Sequence, residues 1–382
     1  MRPVRGPSRR PRDLPKPRPA SSTPSPRGSS RYWSWTVTDP ARIEVIAPNF
    51  KRRLSGVTAT VVRLVPVQAR EIGIVATGPV IPPHVPQIPL RALLTLPRRT
   101  PRVWHARRNV EMIGGLALKH LLRKDLRLIF TSASQRKQTG LTRWLIRRMQ
   151  AVVATSDKTA AYLDVPATVI LHGIDTDGFT PAPDRAALRA RMGVPVEGPL
   201  IGCYGRIRAQ KGTDAYVDAM IAALPGHPGA TALVMGRAVD KDRAFLGDLK
   251  ARVAQAGLSD RILFKPEVPT EAMADWYAAL DLYVAPQRWE GFGLTPIEAM
   301  ATGCPVVATR VGAFDQIVTE DTGLLVPPGD IPALTNAIGD ALSDKPRLTA
   351  WRTAARDRAL TDFSIEREAR ALITLYRELL SR

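Results

Sequence analysis

Short runs of apolar, often β-branched residues alternate along this chain with longer stretches of helical periodicity. The runs begin near residues 42, 72, 126, 151 and 167, and a second set begins near residues 200, 231, 261, 281, 305 and 323. Strands that alternate with helices form βαβ units, whose parallel strands are buried on both faces. The pattern therefore predicts an α/β protein with two Rossmann-like domains in tandem.

Proline and glycine residues separate the two sets of predicted strands. Three prolines and two glycines fall within residues 181–198, and such residues are typical of linkers. We expect an N-terminal domain over 42–185 and a C-terminal domain over 186–360. The last segment, 361–382, has apolar residues at helical spacing and is predicted to form a helix that packs back on the N-terminal domain.

Residues 1–41 are rich in Pro, Ser and Arg and have no periodicity. Such a segment has too little apolar surface to offset the entropy lost on ordering, so we expect a disordered basic extension. It is either a tether to a membrane or a segment without function. The start lacks the apolar core of a secretory signal, and no apolar run reaches the ~18 residues of a membrane span, so a cytoplasmic setting is expected.

The chain is strongly basic, with a net charge of +20 over 382 residues. Residues 1–41 carry +7 of this charge, which leaves +13 on the remainder. Nucleic acid, an anionic membrane or an acidic substrate could each account for it. Because aromatic residues make up only 6% and no nucleic-acid-binding motif is recognisable, an anionic lipid surface is favoured. Cys203 and Cys304 lack ligand spacing and are predicted to be packing residues.

Glycines and charged residues cluster in turns that follow predicted strands, where ligands of open parallel sheets bind. In the turn after the strand at 200, Gly205 precedes Arg206 and Lys211. These two cations could bind one diphosphate. Two solvated basic side chains would give the same pattern.

The stretch EGFGLTPIEAMATG, residues 290–303, is more informative because it joins a predicted strand to a helix of small residues. Gly291 and Gly293 leave room for a ligand, and the start of the helix offers backbone N–H groups to a phosphate. Glu298 could accept hydrogen bonds from two ribose hydroxyls, and Glu290 would lie near the group that the phosphate carries. Two glutamates at this spacing also arise by chance, but their context favours a site.

Two basic turns in the first domain are candidates for binding an acceptor. One precedes Gly56, which opens a predicted helix, and the other follows the short strand PRVW. The candidate acceptor-binding residues in these turns are Lys51, Arg52, Arg53, His105, Arg107, Arg108, Asn109 and Glu111. A solvated basic loop and a structural histidine are the alternatives at these positions.

These motifs resemble those of the retaining glycosyltransferases of family 4, which have the GT-B fold. The resemblance lies in EGFGLTPIEAMATGCPVVATRVGAFDQIV, which is similar to that family's Glu-x7-Glu signature, and in YGRIRAQKG, VILHGIDTDGF and GLLVPPGD. APNFKRRLSGVT and VWHARRNVEMIGG further resemble the lipopolysaccharide core mannosyltransferases of alphaproteobacteria. The resemblance implies two Rossmann-like domains that face each other across a cleft, with the donor bound mostly by the C-terminal one.

The resemblance also implies roles for individual residues. Arg206 and Lys211 would neutralise the donor diphosphate, Glu298 would hold the ribose and Glu290 would contact the transferred sugar. The residues that it assigns to the donor are Gly56, Gly205, Arg206, Lys211, Glu290, Gly291, Phe292, Gly293, Leu294, Thr295 and Glu298. His105 is a candidate catalytic group beside Glu290, Arg206 and Lys211. Many relatives carry a histidine where this chain has Phe130, Thr131 and Ser132.

The implied reaction is transfer of a hexose, namely mannose from GDP-mannose, onto a lipopolysaccharide inner core or another anionic lipid-linked acceptor. The resemblance implies no metal and no other cofactor. We expect a peripheral enzyme at the anionic surface of the inner membrane, without a nucleic-acid partner. The alternatives are a glycosyltransferase that uses a UDP-sugar on another glycan or lipid, a nucleotide-sugar epimerase of the same fold, and a non-catalytic binding module.

Overall fold

The computed structural model describes residues 39–52 and 56–382. Arg53, one of the candidate acceptor-binding residues, lies outside the described residues. So does almost all of the basic extension at 1–41. The expectations for these positions stay predictions.

Two parallel six-stranded sheets organise the described part of the chain. The first contains β1 Val45–Pro48, β2 Ile74–Thr77, β3 Arg102–Ala106, β4 Leu126–Ser132, β5 Ala151–Ala154 and β6 Thr168–Val169. The second contains β7 Leu200–Tyr204, β8 Thr231–Met235, β9 Ile262–Lys265, β10 Leu282–Ala285, β11 Val306–Thr309 and β12 Gly323–Val326. The strand orders are β2-β1-β3-β4-β5-β6 and β12-β11-β10-β7-β8-β9. Every apolar run that the sequence marks forms a strand, so the α/β prediction is confirmed.

Helices connect these strands and cover both faces of each sheet. In the first half they are α1 Gly56–Gln68, α2 Ala92–Thr95, α3 Asn109–His120, α4 Gly140–Ile146 and α5 Asp157–Ala160. In the second half they are α6 Arg185–Met192, α7 Thr213–Ala223, α8 Arg243–Gln255, α9 Met273–Ala278, α10 Thr295–Ala301, α11 Phe314–Ile317, α12 Ile331–Ser343, α13 Lys345–Asp362 and α14 Ile365–Leu380. Across the described residues, every helix is too short or too polar to span a bilayer.

The strand orders place the candidate site residues at the switch points of the sheets. In the first sheet the order reverses at β1, which pairs with β2 on one side and β3 on the other. In the second it reverses at β7, which pairs with β8 and β10. Ligands bind where successive connections leave a sheet in opposite directions, because a crevice opens there. The predicted site residues lie near the carboxyl ends of β1, β3, β7 and β10, either at the strand end, in the loop that follows or in the first turn of the next helix.

Helix α14 follows the second sheet in the chain but packs on the first. Its buried residues Ile365, Leu372 and Tyr376 join a core cluster with strand residues such as Val45 and Val103. Burial of this apolar face supplies the free energy that returns the helix to the first sheet. The prediction for the last segment is therefore confirmed, whereas the exact domain boundaries stay a prediction.

The chain passes between its two halves twice, and the two passages lie side by side. The N–H of Ile174 donates to the carbonyl of Phe363 at 2.8 Å, and the N–H of Ile365 donates to the carbonyl of Ile174 at 2.8 Å. Gly173 permits this approach, since a Cβ there would lie 2.3 Å from the carbonyl oxygen of Ser364. The crossing therefore joins the halves through backbone hydrogen bonds.

Candidate active site

A cavity of about 570 Å³ lies between the carboxyl ends of the two sheets. The first half of the chain contributes Gly56, Val57, Thr60, Leu64, His105, Arg107, Thr131, Ala133, Val153, Thr155, Ile170 and His172. The second half contributes Lys211, Trp289, Glu290, Gly291, Phe292, Gly293, Leu294 and Thr295, and α14 adds Glu368 and Leu372. Its volume is that of an ordinary small-molecule site.

Glu290 and Lys211 form an ion pair in the cavity wall. Their side chains are 19% and 27% exposed, so water screens the pair less than it would at an open surface. The backbone N–H of Gly291 donates to the other Glu290 oxygen at 3.1 Å. Gly212 fixes the turn that positions Lys211. It has φ +70°, and a Cβ added there would lie 1.8 Å from the carbonyl oxygen of Pro286, so this close approach requires glycine.

The glycine-rich loop after β10 bridges the two halves. Gly291 accepts a hydrogen bond from Gln135 Nε2 at 2.8 Å, and Phe292 packs edge-on against His172 with ring centroids 5.0 Å apart. Gly293 has φ +95°, and a Cβ there would lie 2.2 Å from the ring of Phe314. Only glycine fits this conformation and this gap without displacing the core.

Glu298 lies in the first turn of α10. The hydroxyl of Tyr277 donates to Glu298 Oε2 at 3.1 Å. Burial raises the pKa of Glu298, and the Tyr277 hydrogen bond and the charge of Arg63 oppose the rise. Arg63 belongs to α1, so a cation from the first half acts on this carboxylate from across the cleft.

Arg206 is more exposed to solvent than Lys211, the other predicted diphosphate ligand. It is exposed directly after β7 and lines a shallow depression with Gly205 and Lys211. Lys211 lines both this depression and the main cavity. Lys211 therefore lies where the depression beside Arg206 meets the main cavity, so the two cations are close enough to the same region to act on one ligand.

His105 is completely buried in the opposite wall. Its Nδ1 lies 2.6 Å from the Tyr376 hydroxyl and its Nε2 lies 2.6 Å from the Thr131 hydroxyl. Burial and then the charge of Arg107 lower the pKa of His105 well below its usual value. The imidazole is therefore neutral, and both of its nitrogens are engaged.

The remaining candidates near β3 are held by hydrogen bonds to neighbouring protein groups. Glu111 is fully buried and accepts from the N–H of Arg107 at 2.8 Å and from Arg108 Nη1 at 2.7 Å. Asn109 donates to Thr142 at 2.8 Å. Of the acceptor-binding candidates in the described residues, His105 and Arg107 line the cavity, and Lys51 and Arg52 are exposed just before the undescribed gap at 53–55.

Several cavity-lining residues were not predicted from the sequence. His172 and Glu368 are bound to each other, with 2.8 Å between His172 Nδ1 and Glu368 Oε1. The motif VILHGIDTDGF places His172 just beyond β6, which is a usable signal. Glu368 lies 196 residues away along the chain and gives none. Among the described residues, no group of three or more His, Cys, Asp or Glu side chains is arranged to hold a metal ion.

Comparison with known proteins identifies the family. Residues 198–344 match the family described as Glycosyl transferases group 1. The chain is also 53% identical over 353 residues to the lipopolysaccharide core biosynthesis mannosyltransferase LpsB of Rhizobium meliloti (strain 1021). The aligned residues cover 90% of this chain and 100% of that protein. The chain belongs to the group 1 glycosyltransferases.

Two further relatives of this glycosyltransferase extend the comparison. The lipopolysaccharide core biosynthesis mannosyltransferase LpcC of Rhizobium leguminosarum bv. viciae is 50% identical over 344 residues, covering 88% of this chain and 97% of that protein. The crystal structure of a glycosyltransferase from Rickettsia africae ESF-5 superposes with a TM-score of 0.77 at 17% identity, over 89% of this chain and 99% of that one. The glycosyltransferase has the GT-B fold, as predicted. The roles assigned to single residues stay predictions.

Proposed function

We propose that this glycosyltransferase moves mannose from GDP-mannose onto the inner core of lipopolysaccharide. Two relatives named as lipopolysaccharide core mannosyltransferases match it at 53% and 50% identity over almost their whole length. The observation that carries the site assignment is the cavity between the sheets, where the Glu290 and Lys211 pair faces Arg107 and His105.

The donor binds along the second half of the chain. Its diphosphate competes with Glu290 for the ammonium group of Lys211, and Arg206 approaches from the solvent side. The released Glu290 carboxylate then accepts hydrogen bonds from hydroxyls of the transferred sugar. Glu298, oriented by Tyr277, accepts from the ribose hydroxyls.

Sugar transfer requires a departing nucleoside diphosphate to be stabilised while positive charge develops at the anomeric carbon. The bond from that carbon to the diphosphate oxygen breaks, and a bond to the acceptor oxygen forms on the same face, which retains configuration. The acceptor proton passes to the departing diphosphate. Lys211 and Arg206 stabilise the negative charge that grows there, and enclosure between the sheets limits hydrolysis by water.

The wall opposite Glu290 and Lys211 serves the acceptor. Arg107 lines the cavity with 9% exposure and offers the acceptor a positive charge. His105 acts as a neutral group that holds Thr131 and Tyr376 in place. An anionic sugar next to the attacked hydroxyl suits such a wall, because Arg pairs with carboxylates through two parallel hydrogen bonds.

The enzyme contacts the anionic membrane through helices α3 and α4. Val110 and Ile113 on α3 are 44% and 47% exposed, and Leu141 and Trp144 on α4 are 57% and 49% exposed. Asn109 joins the two helices through Thr142. Exposed basic residues accompany this patch, namely Arg143, Arg147 and Arg148. Arg148 lies 3.5 Å over the Trp144 ring. Apolar and aromatic side chains among arginines suit an anionic bilayer surface.

A donor panel tests the reaction. Purified enzyme is incubated with inner-core lipid A acceptors and with GDP-mannose, UDP-glucose or UDP-galactose, and products are identified by mass spectrometry. We expect mannosylated acceptor from GDP-mannose. Transfer from a UDP-sugar alone would overturn the donor assignment, isomerised donor without acceptor would indicate an epimerase, and no product with any donor would indicate a binding module.

Vesicle binding tests the membrane contact. Leu141→Ser combined with Trp144→Ser should weaken binding to phosphatidylglycerol vesicles by at least about tenfold, because burial of each side chain contributes about 1.5–3 kcal/mol. The control is Leu360→Ser, which removes another exposed leucine, on α13. Binding that is equal on neutral vesicles, or that does not weaken as salt rises, would contradict the proposal.

A further inference from the structure

Helix α14 places a carboxylate in the wall that the first half contributes to the cavity. Glu368 is 5% exposed, yet both of its oxygens are engaged. Oε1 lies 2.8 Å from His172 Nδ1, and Oε2 accepts from the N–H of Gly173 at 2.8 Å. A buried carboxylate with these two partners is held in a single orientation.

This carboxylate occupies one nitrogen of His172. Because a carboxylate accepts hydrogen bonds, Nδ1 is the donor to Glu368. The other nitrogen, Nε2, remains to pair with a hydroxyl group, which can both donate and accept a hydrogen bond. Within the described residues, no hydrogen bond engages Nε2, while the imidazole lines the cavity.

The surroundings of His172 differ from those of His105, the other histidine that lines the cavity. His105 has no exposed surface and uses both ring nitrogens in bonds to protein groups. The His172 side chain is 12% exposed and packs edge-on against Phe292 of the glycine-rich loop, at 81°. His172 therefore borders the residues next to Glu290, with one nitrogen available to a ligand.

The position of the pair is set by the backbone crossing and by core packing. Ile174 and Ile365, which flank the pair in the chain, are hydrogen-bonded to each other through the backbone at 2.8 Å. Leu372, one turn beyond Glu368, is buried in the core of the first half. Groups supported in this way keep a fixed geometry, which a specificity contact needs.

We propose that His172 and Glu368 form a dyad that recognises one hydroxyl of the transferred hexose, with His172 Nε2 hydrogen-bonded to that hydroxyl and Glu368 acting as the positioning residue. The inference rests on the proposed sugar transfer and concerns the selection of the sugar. A site that pairs with a hydroxyl discriminates strongly against an analogue that lacks it, because its own polar group is then left without a partner.

Deoxy donors provide the test. The wild type and His172→Ala are assayed with GDP-mannose and with its 2-, 3-, 4- and 6-deoxy derivatives, and kcat and KM are measured separately. We expect at least one deoxy derivative to lower kcat/KM of the wild type by about tenfold or more, and the variant to treat one such derivative and GDP-mannose alike. This is the coupling that a double-mutant cycle isolates. A variant that discriminates against every derivative as the wild type does would overturn the proposal.

Glu368→Gln tests the positioning role with the cavity shape preserved. A neutral amide facing Nδ1 would hold the imidazole less firmly than the charged carboxylate does, so we expect kcat/KM to fall about tenfold or more. The matched control is Glu378→Gln, an exposed glutamate on the same helix, which should leave kcat/KM unchanged. Unchanged kcat/KM in Glu368→Gln would contradict the dyad.

Further measurements distinguish failure of the proposed dyad from a misfolded variant and from a wrong donor assignment. Thermal unfolding and circular dichroism show whether each variant is folded, and His172→Asn replaces His172→Ala if the latter is not. If the wild type uses another nucleotide sugar, the donor assignment fails, and the same comparison is made with deoxy derivatives of that sugar. A purely structural pair would lower stability but leave the discrimination among derivatives as in the wild type.

Discussion

The cavity wall formed by the second half takes nearly all its residues from one loop, 289–295, whereas within the described residues the opposite wall draws on six separate segments. The polar groups of the two walls also differ. Glu290 and Lys211 are partly exposed and hold each other, so a charged ligand can replace either partner. In the opposite wall, His105 is fully buried and held by the hydroxyls of Tyr376 and Thr131.

The second-half wall therefore supplies charges that can change partners, whereas the opposite wall supplies fixed polar groups and shape. An ion pair at an accessible wall exchanges partners at low cost, since solvent and ligand compensate the lost contact. A buried hydrogen-bonded group cannot leave its partners without a desolvation penalty of about 1–3 kcal/mol. We expect changes in the loop wall to alter turnover, and changes in the opposite wall to alter stability and sugar selection.

The largest effect is expected for Lys211→Ala. Loss of this cation removes stabilisation of the departing diphosphate, so kcat should fall about 10²- to 10³-fold while the folded structure is retained. Steady-state kinetics and thermal unfolding measure the two quantities. The control is Lys345→Ala, which removes an exposed lysine at the start of α13. Normal turnover in Lys211→Ala would remove the distinction between the walls.

Glu298→Gln is expected to separate donor binding from stability. Weaker hydrogen bonds to the ribose should raise the KM for the donor by about tenfold. Because burial raises the pKa of Glu298 in the folded state, the folded state binds more protons than the unfolded one, and the free energy of unfolding falls as pH rises above the ordinary carboxyl range. The variant lacks this loss. Urea unfolding at about pH 5 and about pH 8 measures this change in the free energy of unfolding. An equal change with pH in the wild type and in the variant would contradict the raised pKa.

His105→Gln probes the opposite wall and should act on stability in the reverse pH direction. The lowered pKa of His105 means that the unfolded state takes up a proton first, so the free energy of unfolding falls as pH drops below the usual histidine pKa. The slope is at most about 1.4 kcal/mol per pH unit. The variant should have a smaller slope in urea unfolding. A wild-type stability that does not fall over this range would contradict the neutral imidazole.

The smallest effect is expected at the exposed contact between α5 of the first half and α11 of the second half. Asp157 and Gln316 exchange two hydrogen bonds of 2.9 Å, and Lys158 lies 2.5 Å from Asp315. Such exposed pairs contribute about 0–1 kcal/mol, so Lys158→Ala with Gln316→Ala should change kcat and KM less than about fivefold. A larger change in kcat would show that this contact controls access to the cavity.

The loop wall could be predicted because its chemistry is local. Glu290, Gly291 and Gly293 are neighbours in the chain, and a turn after a buried strand brings them to the sheet edge in any parallel fold. The opposite wall could not be predicted to the same depth. His105, Asn109 and Glu111 cluster in the sequence, but which of them face a ligand depends on partners such as Tyr376 and Thr142 that lie far along the chain.

The two α/β halves, the order of their strands along the chain and the glycine-rich loop with its glutamates could all be predicted from the amino-acid sequence. Period and turn chemistry are local properties that any tertiary arrangement must respect. The folded structure was needed to show that Lys211 pairs with Glu290, that His105 is neutral and that Glu368 contacts His172. Pairing and burial depend on which distant segments meet, and that follows from packing of the whole core.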